Sequence, residues 1–495
     1  MQQFSFRPGE VAPSGSFADA APADAGPSAM ADAGGSIGTS AMPVAAASPG
    51  PDGHADTDVP ADTASPGENR RAWRQLALLS GLISMDNSEG AVMSTLFPAV
   101  RAALDLKLSA LGNMLAVSKI LTMIFGPIWV AVAVRYGRKR ILVVFCGLWG
   151  VWSVAAGCSQ NYAQLFALYS IAAVGFAAGG PLINGILSDL FPDRRRGRAA
   201  GWLYAGFAVT GAILTPLFGQ LSRVENGWRY GFFIVGAVTI GCGLLVWRYF
   251  VDPRIGAADG VAHAPVAATP GRRQVLAALR SRTLWVIMAQ RVTTPQLAFL
   301  SFGVVFMVDV RHFSTAQAAL VSPVAMLMYV VGTVLGGYVG DRAGARFPGG
   351  GRVAVWQASV LAWAAATALA TQIRWPSIWV YAIMFAMVGL TQGFGPGSNR
   401  PILTSVTRPE LRSAAFSLLL SAEALGWAAG TVLIGYAGDA FGLRAAVLWL
   451  AVVTSLANGL LMTLLYRPYR RESAALTAEL AAERACDAPT GKHTE

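Results

Sequence analysis

Six ionisable side chains lie within long apolar runs of the chain: Asp86 and Glu89 in one run, Lys119 in the next, and Arg291, Arg400 and Glu423 in three later ones. An ionisable group at membrane depth is costly, and it faces a bundle interior or a watery path. Two kinds of chemistry suit these types. A carboxyl held there can load and release a proton, which makes Asp86, Glu89 and Glu423 candidates for proton coupling; Asp86 and Glu89 share a helix face at i,i+3. A guanidinium presents a rigid fork to carboxylate or phosphate. Arg291 and Arg400, with Lys119 and the polar neighbours Gln290, Gln392 and Asn399, are therefore candidates to hold a solute. Plain structural roles compete: an Asp86–Lys119 ion pair, pairing of the arginines with Glu423, or Arg400 reaching to the interface.

No enzyme constellation accompanies them. The four cysteines, Cys146, Cys158, Cys242 and Cys486, have neither CxxC nor Cys/His metal spacing. The four histidines, His54, His263, His312 and His493, all fall outside the apolar runs. No nucleophile–base pair can be assembled, so neither catalysis, a metal nor a cofactor is expected.

The elements that must position these side chains are membrane helices. Hydrophobic residues make up 54% of the chain and charged ones 13%, where soluble domains carry about 25% charged. Runs long enough to cross a bilayer as helices lie at 75–100, 109–134, 141–158, 163–190, 200–221 and 230–250. A second set lies at 283–308, 316–340, 353–372, 376–404, 413–437 and 445–466. The expected fold is all-α, with twelve transmembrane helices in two six-helix bundles, 71–250 and 283–467. Residues 1–70, rich in Ala, Pro, Gly, Ser and Asp, are expected to be a disordered tail. The stretch 251–282 reads as a linker and 468–495 as a polar tail with a short helix near 474–485.

The net charge of +11 does not mark a nucleic-acid binder, because the basic residues form short clusters in alternate loops. Arg135, Arg138, Lys139 and Arg140 form one, and Arg194, Arg195, Arg196 and Arg198 the next; the linker, Arg342 with Arg346, and Arg408 with Arg412 continue the series. By the positive-inside rule these loops and both termini are cytoplasmic, in the plasma (inner) membrane.

Short motifs recur between the halves in the same order. Arg135 and Gly137 after the second run match Arg342 and Gly344 after the eighth, at an offset of 207 residues. Gly227-Trp228-Arg229 matches Gly442-Leu443-Arg444, and a Pro-acidic element follows the fourth and tenth runs. Such order means a duplicated six-helix unit. Here the chain resembles the major facilitator superfamily. Its loop signature, Gly-x-x-x-Asp-Arg-x-Gly-Arg-Arg/Lys, is matched by Gly337, Asp341, Arg342, Gly344 and Arg346. The first-half copy keeps Arg135, Gly137, Arg138 and Lys139, with Val130 and Val134 in place of Gly and Asp.

The resemblance implies a secondary transporter of a small organic solute, coupled to protons and held as a monomer in the bilayer, working by alternating access. The signature loops would be gating latches, complete in the second half and lacking their acid in the first. Thr215-Pro216-Leu217-Phe218-Gly219 keeps part of the family's antiporter signature and points to efflux. Uptake by symport or facilitated diffusion is the alternative on the same fold, and a membrane sensor the alternative of another class.

This orientation is testable by cysteine labelling of intact cells. A cysteine near His312 should react with an impermeant reagent, and cysteines in 251–282 or 194–198 should not. Strong external labelling of the linker would reverse the topology.

Overall fold

The computed structural model describes residues 66–191, 193–253, 272–294, 296–408 and 411–487. Residues 1–65 of the expected tail 1–70, most of the linker and 488–495 lie outside the described residues, as does the side chain of Asp86; residues 66–70, expected in the tail, begin the first helix. Every regular element among the described residues is helical, as a chain in hydrocarbon requires, since only a helix satisfies its own backbone there.

The first half holds α1 (Pro66–Leu104), α2 (Leu108–Tyr136), α3 (Arg138–Gly157), α4 (Tyr162–Leu187), α5 (Asp193–Leu221) and α6 (Gly227–Tyr249). The second half opens with α7, an interrupted helix of Arg282–Thr293, Gln296–Phe299 and Gly303–Asp309. It continues with α8 (Thr315–Arg346), α9 (Gly351–Gln372), α10 (Ile378–Ser405), α11 (Arg412–Phe441) and α12 (443–465). Among the described residues, nine helices are long and apolar enough to cross a membrane. The other three expected positions, α1, α5 and α7, are helical too, but charges or interruptions break up their apolar runs.

Packing repeats between the halves. α1 lies against α5 and α6, α2 against α4, and α3 against α6; in the second half α7 lies against α11 and α12, α8 against α10, and α9 against α12. Two pseudo-equivalent seams join the halves, α2 with α11 and α5 with α8. Small residues make the tight seams possible, because helices in lipid gain by close backbone approach. A Cβ on Gly147 would meet Gly243 Cα at 2.4 Å. Along α8 and α10, a Cβ on Gly389 would stand 2.0 Å from the Ala325 carbonyl oxygen, and one on Gly393 2.2 Å from that of Tyr329. At the turn into α3, Gly137 has φ +91°, a conformation that side-chained residues avoid.

The C-terminal segment differs from the short helix expected. It forms α13 (Tyr466–Asp487), 22 residues continuous with α12. Its Glu472 accepts hydrogen bonds from the Ser281 hydroxyl (2.6 Å) and the Arg282 N–H (2.8 Å) at the start of α7. Glu479 pairs with Arg408 after α10. A carboxylate at a helix N-terminus is favoured by the unpaired N–H groups there.

The α8–α10 seam gives a direct prediction. Gly393→Val inserts a branched side chain where even a Cβ overlaps backbone, so the yield of monodisperse protein should fall sharply. A destabilisation of about 3 kcal/mol or more is expected of overpacking with no room to relax. An unchanged melting temperature would contradict the seam.

Candidate functional site

Two of the predicted charges pair within the second half, and a third reaches the same helix from the first. In α7, Arg291 is 6% exposed, and its Nε stands 3.1 Å from Oε1 of Glu423 on α11. One turn further along α11, the Trp427 ring lies 5.8 Å from the Lys119 ammonium of α2, a cation–π contact across the halves. Arg400 on α10 is exposed, and the phenol of Tyr329 on α8 lies within the electrostatic reach of Arg400, Arg291 and Glu423. Arg291 alone pairs with Glu423, with Lys119 one turn along α11 on Trp427 and Tyr329 of α8 under the influence of both Arg291 and Arg400.

One turn along α8 from Tyr329, Met326 lines a cavity of about 200 Å³ between the halves. Its wall includes Ser88 of α1, Thr215 of α5, Met307 of α7 and Phe385 of α10. The chamber is mostly apolar with a few hydroxyls, the composition of a small-molecule site.

The remaining predicted residues lie elsewhere. Glu89 is 4% exposed and accepts a hydrogen bond of 2.8 Å from the Ser153 hydroxyl of α3. It therefore faces the first bundle's own packing, not the cavity. Gln392 and Asn399 are buried within the second bundle; the Gln392 amide donates to the Gln296 carbonyl at 3.3 Å. Among the described residues no cluster of His, Cys, Asp or Glu is fit to hold a metal.

At the basic face the latch residues pair differently from expectation. Arg138 binds Asp189 at the end of α4, Asp252 after α6 (2.8 Å) and the Pro253 carbonyl (2.6 Å). The acid missing at Val134 is thus supplied by Asp189 at the end of α4 and Asp252 in the segment after α6, and Arg138 is only 13% exposed. In the second half Asp341 is 66% exposed and pairs with Arg352 of α9 at 2.8 Å. Arg342 and Arg346 are exposed, Gly344 lies under the Arg352 side chain, and Arg135 is exposed beside the Tyr136 ring. The better-buried network is therefore in the first half. Burial cannot be read from the motif, because Asp189 and Asp252 come from distant sequence.

The opposite face is where the halves lock. Arg101 of α1 pairs with Asp309 of α7. Asp439, at the end of α11, accepts from the Leu108 and Ser109 N–H groups at the start of α2, at 2.7 and 2.9 Å. A Cβ on Gly112 would meet the Thr431 carbonyl at 2.4 Å, and one on Gly219 would meet the Ala319 Cβ at 2.5 Å. Toward the basic face α2 loses this cover: Ile120, Ile124, Ile128 and Val134 are exposed. Sequence reading passed over Asp439, although Gly435-Tyr436-Ala437-Gly438-Asp439 repeats the pattern of Gly337-Tyr338-Val339-Gly340-Asp341. That repeat was the available signal.

Two similar six-helix bundles, locked at one face around a charged central site, have the build of a secondary transporter. The profile of the Major Facilitator Superfamily matches residues 78–354 and 350–488, and the chain belongs to that family. Its fold is similar to the solved structure of a bacterial homolog of the human lysosomal transporter Spinster, inward-facing and unoccupied. The TM-score is 0.66 at 19% identity, covering 82% of this chain and 97% of that one. It is 28% identical over 224 residues to a probable sulfoacetate transporter of Cupriavidus necator, covering 42% of this chain and 50% of that protein. It is 29% identical over 163 residues to a 4-hydroxybenzoate transporter of Pseudomonas aeruginosa, covering 31% and 36%. The chain therefore spans half or less of the length of these two relatives.

The Asp439 cap predicts a measurable gate. Asp439→Ala removes an N-terminal cap of about 1–2 kcal/mol, shifting the balance toward opening at this face by about tenfold. In a cysteine-free background, a cysteine at position 113 should be labelled from that side correspondingly faster. An unchanged labelling rate would mean that Asp439 does not hold the face shut.

Proposed function

We propose that the protein is a secondary active transporter of small organic anions, coupled to protons and working by alternating access. The observation that carries this reading is the buried Arg291 paired with Glu423, with Lys119 of the other half seated on Trp427 one turn along the same helix. Sulfoacetate and 4-hydroxybenzoate, named for the two relatives, are organic anions of the kind such a cluster would hold. Rocking of the bundles about a central site is the family's way of exposing it to each side in turn.

With the basic face cytoplasmic, the observed closure at the opposite face is the inward-facing arrangement. An anion entering from the cytoplasmic side meets Arg400 first and then competes with Glu423 for Arg291. Glu423, once released from Arg291, takes up or gives off the coupled proton; Asp86 is a further carrier on α1. Closure of the basic face would engage Asp341, Arg342 and Arg346, with Gly337 and Gly344 permitting close approach. Arg135, Gly137 and Arg138 serve the first half.

Export rested on Gly219 and its neighbours, but Gly219 sits where α5 packs on Ala319 of α8. Packing thus accounts for that residue without antiport. Efflux, to which the partial α5 signature points, and uptake of an anion with a proton are told apart by the sign of the effect of an imposed pH gradient.

In proteoliposomes, Arg400→Gln should raise the KM for an organic anion at least tenfold, as about 1.5–3 kcal/mol attends a charge-assisted hydrogen bond. Glu423→Gln should retain solute exchange yet lose acceleration by an imposed pH gradient. Gradient-driven flux that survives Glu423→Gln would remove the coupling role. Binding without any flux in the wild type would make the protein a sensor.

A further inference from the structure

The interruption of α7 falls directly after Arg291. The helix stops at Thr293, and Thr294 is extended at φ −103° and ψ 112°, the conformation favoured before a proline; residue 295 in the sequence is Pro295. A proline has no N–H to give to the carbonyl of Arg291, four residues back. Broken helices are tolerated at membrane depth only where something else satisfies the freed backbone groups. Two elements approach this break. Gly426 of α11 lets that helix lie on the Arg291 carbonyl, where a Cβ would stand 2.2 Å away. From the other side comes Asn458 of the outer helix α12, which is 2% exposed.

The Asn458 amide nitrogen lies 3.0 Å from the Gln290 carbonyl oxygen and 3.1 Å from the Thr293 hydroxyl, and it also donates to the Thr294 hydroxyl. Thr294 in turn donates to the Gln290 carbonyl at 2.7 Å. Asn458 is the only amide-bearing side chain in 443–465. A polar group buried in an otherwise apolar outer helix is costly unless its bonds are made, and here they are made to Gln290 just before Arg291, to Thr293 at the helix end and to Thr294 at its cap.

We propose that Asn458 is a positioning residue of the solute site: by tying down residues 290–294 at the break in α7, it keeps the Arg291 guanidinium directed at Glu423 and at the bound anion. This rests on the reading of the central cluster as an anion site. Asn458 itself never meets the solute. Without its amide, the last turn before the break loses its lateral restraint, and Arg291 spreads over more orientations. Affinity falls, because a fork must be pre-aligned to bind a carboxylate.

The test combines transport kinetics with hydrogen exchange on the full chain. With radiolabelled benzoate as probe, Asn458→Ala should raise KM about tenfold, the scale of one lost charge-assisted bond, and leave Vmax per folded protein within about twofold. Asn458→Ser, which keeps a short donor, should lie between. On an Arg291→Gln background, Asn458→Ala should add almost nothing, since residues acting through one another are not additive. Independent multiplication of the two effects, or a loss of Vmax at unchanged KM, would overturn the positioning role. In detergent and without solute, Asn458→Ala should speed amide exchange across 290–294, and unchanged exchange there would likewise overturn it. Should the wild type carry no organic anion, the anion reading fails, and the exchange measurement still decides the role of Asn458 at the break.

Discussion

Hydrocarbon offers a peptide group no hydrogen bond, so every backbone amide at membrane depth must find its partner inside the protein. The consequences run through the whole chain: each regular element among the described residues is a helix, and departures from helix need a visible remedy. The interruption of α7 is the clearest departure. It is met by Asn458, by the Gln392 amide on the Gln296 carbonyl, and by the bare backbone of Gly426. That the same interruption lies beside Arg291 is the link from backbone chemistry to function. Gly426 lets α11 lie on the Arg291 carbonyl, and Glu423, one turn away on α11, stands 3.1 Å from the guanidinium.

Contact between the halves is built from two kinds of interaction with different distance laws. Glycine seams demand van der Waals approach and exist only when the faces are fully together; they lie where α2 meets α11 and α5 meets α8. Carboxylates act over a longer range and select which face closes. Asp439 uses the unpaired N–H groups of α2, so the helix terminus itself becomes the partner and no basic side chain is needed. At the basic face the pairs of Arg138 and of Asp341 remain within their own halves, which leaves that side free to part while each bundle stays rigid. α13 adds to this rigidity by tying the start of α7 to the loop after α10.

Much of this was present in the one-dimensional chain. Apolar runs, alternating basic loops and the recurrence of Arg-x-Gly loop motifs determined a helical membrane protein with a repeated half, because hydrophobic length and loop charge act locally and leave a direct record in sequence. The ionisable residues inside apolar runs were equally legible, since their cost in lipid makes each one conspicuous. Tertiary structure alone decided their partners. Glu89 looked like a cavity residue and turned inward to Ser153; Arg138 looked incomplete and found Asp189 at the end of α4 and Asp252 after α6; Asp439 and Asn458 looked ordinary and became a gate and a clamp. A side chain's rotation about a helix and the depth at which two distant helices cross are set by packing among all the spans together, and no local pattern encodes them.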